Sequence, residues 1–276
     1  MPYIAPLGPN FALLWNAFIS IIVLLIYIRG IIFLMGKLVD REKLSPDLSR
    51  KIIHIAAGSF IWVWLFLDTS DKWSYLLNIA VPLLFFLTFL YKGFKGSPDD
   101  PDVKTMSRTG DPRELLRGTL YFTIIMMIAG TIFFGSYAGM LMLAILGWGD
   151  GIAPYIGKKW GKHTYKTLGR EKSIEGSIAV LVFSILGSLI FLVLLGIIGG
   201  PFGDPNGVLH HPGVELVMVI IVIIVLAVVA MIVEALSPAD LDNLTIPAST
   251  LIALFIIDFL LSSQFIFISI LGFTFP

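Results

Sequence analysis

Residues 214–232 read Val214-Glu-Leu-Val-Met-Val-Ile-Ile-Val-Ile-Ile-Val-Leu-Ala-Val-Val-Ala-Met-Ile232. Eighteen of these nineteen side chains are apolar, and Glu215 is the single charged residue. An apolar helix of about 20 residues spans the hydrocarbon layer of a bilayer, where every backbone polar group needs a partner within the protein. The run is too long and too uniformly apolar for a barrel strand, which alternates over about 10 residues. It therefore predicts a transmembrane helix.

The composition of the whole chain agrees with a membrane location. Of 276 residues, 57% are hydrophobic and 14% are charged, and the mean hydropathy is +0.92. Soluble domains carry about 25% charged residues, so this chain has too little polar surface for a water-soluble globule. The chain has no cysteine and no net charge. We therefore expect no disulfide framework, no thiolate metal site and no nucleic-acid partner.

Eight apolar runs predict an all-α polytopic membrane protein, in which residues 1–276 form one transmembrane domain with about eight spanning helices. Seven spans are the alternative, because only a tight turn at Gly135-Ser136 separates the fourth and fifth runs. The runs are Phe11 to Met35, Ile52 to Leu67, Trp73 to Tyr91, Leu115 to Phe134, Tyr137 to Ile156, Ile174 to Ile198, Val214 to Ile232 and Ile246 to Phe273.

The basic residues predict the orientation of these spans. Seventeen of the nineteen Lys and Arg residues lie in the first, third and fifth loops. Arg29 lies near the same end of helix 1, where it can snorkel, and only Lys72 lies on the opposite side. Because cytoplasmic loops carry the excess of Lys and Arg, these loops are predicted to be cytoplasmic and both termini non-cytoplasmic. We expect an integral membrane protein, in the plasma membrane if the source is prokaryotic.

The ionisable residues gather at the predicted cytoplasmic ends of the helices. Polar groups near hydrocarbon are costly, so they are candidates for function. The seventh loop has two acids and no base, whereas its neighbours are basic, an arrangement suited to a divalent cation beside a polyphosphate. The candidates are Arg50, Lys51, His54, Asp111, Arg113, Glu114, Arg117, Asp150, Lys172, Ser173, Glu175, Gly176, Glu234, Asp240, Asp242 and Asn243.

The segment from Gly147 to Lys162 places an acid ahead of a strip of small residues. In a helix, Asp150, Gly157 and Gly161 share one face, so another group can approach the backbone closely. A polyphosphate lying along this strip beside the neighbouring lysines is one interpretation. Helix–helix packing through small residues is the other.

Several candidates also have structural explanations. Arg50 and His54, four residues apart on one helix face, can bind one anion or anchor a helix end. The Asp111-Pro112-Arg113-Glu114 segment has the form of a helix cap, and so does Ser237-Pro-Ala-Asp240. These patterns favour capping roles for the acids in both segments. The loop at residues 92–109 is polar and turn-rich, and we expect it to be mobile. It is either a lid or a flexible connection without a functional role.

Five motifs in order resemble the polyprenol kinase family, which includes the phytol and dolichol kinases and the fungal CTP-dependent diacylglycerol kinases. The resemblance covers residues 45–250 and is greatest to the phytol kinase branch. The motifs are Arg50-Lys-Ile-Ile-His54, Arg113-Glu-Leu-Leu-Arg-Gly-Thr-Leu-Tyr121, Gly149-Asp-Gly-Ile-Ala153 with Gly157, Lys172-Ser-Ile-Glu-Gly-Ser177, and Asp242-Asn-Leu-Thr-Ile-Pro247.

The resemblance implies transfer of the terminal phosphate of a nucleoside triphosphate, typically CTP, to a membrane-dissolved alcohol, with Mg²⁺ or another divalent cation. The active site would face the cytoplasm. The implied catalytic residues are Asp150, Arg50, Lys51 and His54. The implied nucleotide-binding residues are Gly151, Gly157, Lys158, Lys159, Lys172, Ser173, Glu175 and Gly176. Arg113 and Arg117 would contact substrate or phosphate, and Asp150, Asp242, Asn243 and Glu234 would bind the metal. Asp150 is either the metal ligand or the proton acceptor.

Other functions fit parts of this pattern. A cytidylyltransferase that makes a CDP-activated lipid would need similar groups, but it would release pyrophosphate. A diacylglycerol kinase would differ in its acceptor. A transporter is less favoured, because transporter sites cluster near the midplane at repeat interfaces, and no repeat is visible. The alcohol, the nucleotide base and the oligomeric state stay open.

Overall fold

The computed structural model describes residues 9–67, 73–168, 170–198, 216–238 and 240–261. Almost all of this backbone is helical, which confirms the predicted all-α membrane fold. The α-helices are α1 (Pro9–Ala17), α2 (Leu24–Asp40), α3 (Pro46–Gly58), α4 (Ala80–Lys95), α5 (Pro101–Met106), α6 (Gly118–Thr131), α7 (Tyr137–Ala144), α8 (Gly151–Trp160), α9 (Ile174–Phe191), α10 (Leu216–Leu236) and α11 (Asp242–Leu261).

Among the described residues, six continuous helices are long and apolar enough to cross a membrane. Several of them join two α-helical parts through a π-helical segment, as at Phe18–Val23 and Ile145–Asp150. Leu192–Ile198 is also π-helical, and Ser74–Ile79 is a 3₁₀-helix that leads into α4. The six helices are Phe11–Asp40, Tyr75–Lys95, Tyr137–Trp160, Ile174–Leu195, Leu216–Leu236 and Asp242–Leu261.

The two remaining apolar runs form shorter α-helices. Helix α3 is capped by Ser45, whose Oγ accepts a hydrogen bond from the Leu48 amide at 3.3 Å, and it continues into a 3₁₀-helix at Ser59–Phe66. A 3₁₀-helix at Pro112–Leu116 precedes α6. Eight crossings and the orientation of the termini stay predictions. Lys72, His210, His211 and the end of the last run lie outside the described residues.

A tight turn separates α6 from α7, as the Gly135-Ser136 pair predicted. Gly135 has φ +67°, a left-handed conformation that favours glycine. Ser136 Oγ then accepts a hydrogen bond from the Gly139 amide at 3.1 Å and caps α7. The fourth and fifth apolar runs are therefore two helices.

The segment before α9 contains a short β-hairpin that the sequence analysis did not predict. Strand β1 (Thr164–Thr167) pairs antiparallel with β2 (Arg170–Ser173), and Thr164 lies opposite Ser173. The His163 ring contacts the Glu175 carboxylate at 2.7 Å. This contact between His163 and Glu175 attaches the hairpin to the first turn of α9.

The loop after α4 contains an ion cluster, and its mobility stays a prediction. Lys92 Nζ donates to Asp100 Oδ1 at 2.7 Å and to Asp102 Oδ2 at 2.6 Å. Partial burial raises the pKa of Asp100, but its hydrogen bonds with Lys92 and the Asp102 amide outweigh this and lower it. Arg29 Nη1 lies 3.5 Å from Asp102 Oδ2, so Arg29 pairs with an acid besides reaching outward. These four residues, the Lys92 cluster, hold α5 against α2 and α4.

Candidate active site

A cavity of about 410 Å³ opens at the end of the bundle that carries α5 and the β-hairpin, which we call the charged end. One part of its wall is polar and the other apolar. The polar lining consists of Arg50, Lys51, His54, Arg108, Asp111, Arg113, Glu114, Arg117, Thr119, Thr123, Asp150, Asp240, Asp242 and Asn243. The apolar lining consists of Ile28, Ile32, Ile53, Ala57, Pro82, Phe85, Phe89, Met106, Phe122 and Met126, with Gly118 between the two parts.

Asp150 lies where the polar and apolar linings meet. Its carboxylate Oδ2 is 3.6 Å from His54 Nε2, and its side chain is buried. The His54 ring in turn packs on the Phe122 ring, with centroids 4.2 Å apart. The buried Lys51 ammonium approaches the Asp150 carbonyl oxygen at 3.5 Å. An acid, a base and an imidazole therefore face the same space beside an aromatic wall.

Glycines bring Asp150 to this position. A Cβ on Gly147 would lie 3.1 Å from the Gly58 Cα, so the π-helical segment and α3 touch backbone to backbone. A Cβ on Gly151 would meet the side chains of Ile55 and His54 on α3. Larger residues at these positions would push the helices apart and separate Asp150 from His54.

His54 Nε2 also contacts the Leu146 carbonyl oxygen at 3.1 Å. A carbonyl oxygen only accepts hydrogen bonds, so this contact requires the proton to be on Nε2. Nε2 then has no lone pair with which to accept a proton. The imidazole is placed to orient Asp150 rather than to act as a base through Nε2.

Four arginines line the polar part of the cavity. Arg50 Nη2 lies 3.5 Å from Asp47 Oδ1, and Arg50 Nε is buried with no hydrogen-bond partner in the described part of the chain. A buried donor without a partner is costly and is typical of a site that awaits a ligand. The other three, Arg108, Arg113 and Arg117, come from the segment that follows α5.

Asp240 belongs to this site, and its predicted role as a cap was wrong. Helix α11 begins at Asp242, and Ser237 Oγ donates to the Val233 carbonyl instead of capping. Asp240 has φ +63° and places its carboxylate 3.4 Å from Arg108 and 3.9 Å from Arg117. A local pattern suggested a cap, whereas the tertiary fold uses the acid to hold two arginines at the cavity.

The capping prediction was correct for Asp111, whose Oδ1 accepts from the Arg113 amide at 2.9 Å, although the helix it begins is 3₁₀. Glu114 does not complete a capping box. Its carboxylate accepts from the Arg108 amide at 2.5 Å and the Thr109 amide at 3.2 Å. Glu114 thereby fixes the backbone that presents Arg108 to the cavity.

The oxygen ligands expected for a divalent cation lie on the same wall. Asp242 and Asn243 begin α11, and Asn243 Oδ1 is buried without a hydrogen-bond donor among the described residues. No three His, Cys, Asp or Glu side chains within those residues form a cluster that could hold a metal alone. Mg²⁺ commonly uses one or two carboxylates together with water and substrate phosphates. The residues therefore fit a cation that is shared with a polyphosphate.

The predicted metal ligand Glu234 is engaged elsewhere. Its Oε1 accepts a hydrogen bond from Lys172 Nζ at 2.8 Å, and Lys172 also contacts the Glu234 carbonyl oxygen. Both side chains are nearly buried, at 11% and 10% exposed. The pair joins β2 to the end of α10, close to the cavity but outside its lining.

Most of the predicted nucleotide-binding residues lie beside the cavity rather than in its wall. Gly157 and Gly176 face each other where α8 packs on α9, and Ser173 Oγ caps α9 by accepting from the Gly176 amide at 3.1 Å. This contact accounts for small residues in the strip through helix packing. Nucleotide binding by Gly151, Gly157, Ser173, Glu175 and Gly176 stays a prediction.

Two exposed lysines lie on the α8 side of the charged end. Lys158 Nζ is 3.8 Å from Asp47 Oδ2, and the same Asp47 contacts Arg50, so Lys158 lies near the cavity mouth. Lys159 Nζ lies 4.7 Å from the centroid of the Trp160 ring. Only Lys158 is connected to the cavity through a described contact.

The sequence analysis missed two kinds of site residue. Arg108 belongs to the basic residues that predict the orientation of the spans, and its sequence neighbours gave no further signal that it lines the cavity. The apolar lining from α2 and α4 gave no signal, because its residues look like any others in a spanning helix.

The fold and the cavity define a polytopic membrane protein with a cavity that has both charged and apolar lining. The chain belongs to the phytol kinase family and is a phosphotransferase with an alcohol acceptor. It is 31% identical over 221 residues to probable phytol kinase 1, chloroplastic, of Glycine max, covering 79% of this chain and 70% of that protein.

Two further relatives are also phytol kinases. Phytol kinase 1, chloroplastic, of Arabidopsis thaliana is 29% identical over 223 residues, or 79% of this chain and 69% of the relative. Phytol kinase of Synechocystis sp. is 27% identical over 232 residues, or 81% of this chain and 86% of the relative. No family model matches the chain, and no solved structure matches it.

Proposed function

We propose that this protein is a CTP-dependent kinase of membrane isoprenoid alcohols that uses Mg²⁺. The acceptor would be phytol, geranylgeraniol or a dolichol-like polyprenol, and the reaction would occur at the cytoplasmic face of an integral membrane protein. The single observation that carries this proposal is that one cavity is lined both by charged side chains, among them Asp150, and by apolar side chains from α2 and α4. The names of the relatives support the acceptor class. CTP rests on the resemblance to polyprenol kinases.

The proposed reaction joins the acceptor's hydroxyl oxygen to the terminal phosphorus of the triphosphate. The bond between that phosphorus and the bridging oxygen breaks, and CDP leaves with its electron pair. The hydroxyl proton passes to the Asp150 carboxylate. No covalent protein intermediate is needed, because phosphoryl transfer depends mainly on alignment and on neutralisation of charge.

The position of Asp150 supports its role as the proton acceptor. A lipid alcohol keeps its chain in the apolar compartment, so its hydroxyl would lie at the border where Asp150, His54 and Phe122 meet. His54 Nε2 donates a hydrogen bond to the Leu146 carbonyl, and the ring would hold Asp150 in place. Lys51, also buried here, would neutralise phosphate charge or the Asp150 carboxylate.

Asp242 and Asn243 are the proposed cation ligands, and a role for Asp150 as a third ligand is the alternative to its role as proton acceptor. A bound Mg²⁺ neutralises charge on the triphosphate oxygens. The unpaired Asn243 Oδ1 supports this assignment, since a buried carbonyl oxygen without a donor is satisfied by a cation. Glu234 would bind the cation only if its carboxylate first lost the hydrogen bond from Lys172.

The triphosphate would lie among the cavity arginines. Arg50, Arg113 and Arg117 face the polar compartment together with Arg108, and guanidinium groups bind phosphate in a bidentate manner. Lys158 at the mouth would extend this surface toward the nucleotide, and Lys159 and Lys172 are proposed further along it. The nucleoside would therefore lie on the α8 side of the cavity.

A transfer assay tests the proposal. Purified protein in lipid nanodiscs is incubated with CTP or ATP labelled in the terminal phosphate, with Mg²⁺ and a panel of phytol, geranylgeraniol, dolichol and diacylglycerol. We expect label from CTP in the isoprenoid alcohols and release of CDP.

Other outcomes of this assay would contradict the proposal. Cytidine incorporated into a lipid phosphate, with pyrophosphate released, would indicate a cytidylyltransferase. Label in diacylglycerol alone would indicate a diacylglycerol kinase. Movement of a solute across the membrane without any transfer of phosphate would indicate a transporter.

A further inference from the structure

The apolar compartment of the cavity is too short for a whole diterpenoid alcohol. It follows α4 from Phe89 to Pro82, a distance of about 10 Å at 1.5 Å per residue. An extended isoprene unit contains four carbon–carbon bonds of about 1.5 Å and spans about 5 Å. The compartment therefore holds about two units, and a chain of four units must continue elsewhere.

The cavity cannot be deepened toward the bilayer centre, because a packed layer lies below it. Asn78, fully buried, accepts a hydrogen bond from Ser20 Oγ at 2.8 Å and donates to the Gly130 carbonyl at 3.2 Å. The buried Phe60 ring closes the same level, since a Cβ on Gly130 would lie 3.0 Å from it. This floor joins α6 to the π-helical segment between α1 and α2 and to the 3₁₀-helix before α4.

The side of the cavity between α2 and α4 is closed mainly by side chains. Over residues 24–40 and 80–95, all described, the backbone of α2 lies close to those of α3 and α5, whereas α2 reaches α4 mainly through side chains. Ile28 and Ile32 from α2 face Phe85 and Phe89 from α4 across this gap. The Arg29 guanidinium crosses this gap, where it lies 4.9 Å from the Phe85 ring centroid and pairs with Asp102 of the Lys92 cluster.

We infer that the cavity binds only about the first two isoprene units of the acceptor and that the rest of the chain leaves the bundle between α2 and α4 into the lipid. This inference rests on the proposed function and specifies how the acceptor is recognised. The side chains of Ile28, Ile32 and Phe85 move aside to admit the chain. The enzyme then distinguishes alcohols by the units next to the hydroxyl and not by total length.

A chain-length series on the unmodified protein tests the inference directly. Geraniol, farnesol, geranylgeraniol and a long all-trans polyprenol share the same first two units. The alcohols are presented at equal mole fraction in mixed micelles. We expect their kcat/KM values to agree within about threefold. A tenfold or greater rise with each added unit from ten to twenty carbons would show that the full chain is bound and would overturn the inference.

A substitution in the gap provides the second test. Ile28→Trp would obstruct the exit, so the ratio of kcat/KM for geranylgeraniol to that for geraniol should fall at least tenfold. Ile26→Trp on the same helix is the matched control, because Ile26 is 67% exposed and faces away from the cavity, and it should leave the ratio unchanged.

The possible results distinguish a failure of the exit route from a failure of the proposed kinase function. Equal loss of both substrates in folded Ile28→Trp would overturn the exit route. If Ile28→Trp does not fold, the chain-length series decides alone. Failure of the unmodified protein to phosphorylate any alcohol would contradict the proposed function instead.

Discussion

The carboxylate of Asp150 lies 3.6 Å from Nε2 of His54, although 95 residues separate the two positions in the chain. The Leu146 carbonyl fixes the same nitrogen as a donor. Asp150 therefore lies beside an imidazole whose Nε2 donates to a backbone carbonyl, in a cavity with both charged and apolar lining. This relationship is the basis for the first prediction.

Asp150→Asn should lower kcat by about 100-fold or more, because an amide cannot accept the hydroxyl proton and general-base contributions are of that order. The variant should remain folded, since Asn keeps the size of the side chain. Phosphate transfer and thermal unfolding in detergent measure the two effects. Asp99→Asn, at a carboxylate that is 91% exposed, is the control and should change neither. Near-normal turnover in Asp150→Asn would reject the assignment.

Asp240 should tolerate asparagine better than alanine. Its φ of +63° is accessible to Asp and Asn but costs other residues roughly 1–2 kcal/mol. The ion pairs with Arg108 and Arg117 are partly exposed and contribute at most about 1 kcal/mol. We expect Asp240→Ala to be less stable than Asp240→Asn by about 1 kcal/mol in denaturant or thermal unfolding. Equal stability of the two variants would contradict a backbone requirement at this position.

Lys172→Met should destabilise the protein by about 3–5 kcal/mol, because it leaves the buried Glu234 carboxylate without its partner. The double variant Lys172→Met/Glu234→Leu removes both charges and should recover most of the stability. If Lys172 also binds the triphosphate, KM for CTP in the double variant should stay raised about tenfold, the loss expected for one charge-assisted hydrogen bond. A normal KM would show that Lys172 serves only to neutralise Glu234.

Gly147→Ala should cost about 1–3 kcal/mol and reduce activity, because the new methyl group meets the Gly58 backbone and cannot be relieved by a side-chain rotation. Gly30→Ala is the matched control on α2, where a Cβ meets no atom within 4 Å of the described structure. This control should gain up to about 1 kcal/mol from helix propensity. Unfolding measurements on both variants test the expectation, and equal behaviour would exclude a specific role for the Gly58–Gly147 contact.

The candidate site was partly predictable from local patterns. Arg50, Lys51, His54 and Asp150 were selected from motifs, and the structure brings their side chains into one cavity. Local patterns misled at Asp240, where Ser237-Pro238 resembles a cap that the chain does not form. Capping motifs depend on a few neighbouring residues, whereas an ion pair with Arg108 depends on the packing of distant segments.

By itself, the sequence determined that this protein lies in a bilayer and that its spanning segments are helices. Long apolar runs can satisfy their backbone groups in a bilayer only as helices, so composition and local order were sufficient. Only the tertiary structure decided which helix faces meet, and with them the apolar compartment between α2 and α4, its floor at Ser20 and Asn78, and the pairing of Lys172 with Glu234. Every spanning helix is apolar on most of its surface, so the faces that pack together cannot be distinguished from those that contact lipid until side-chain shapes are matched in three dimensions.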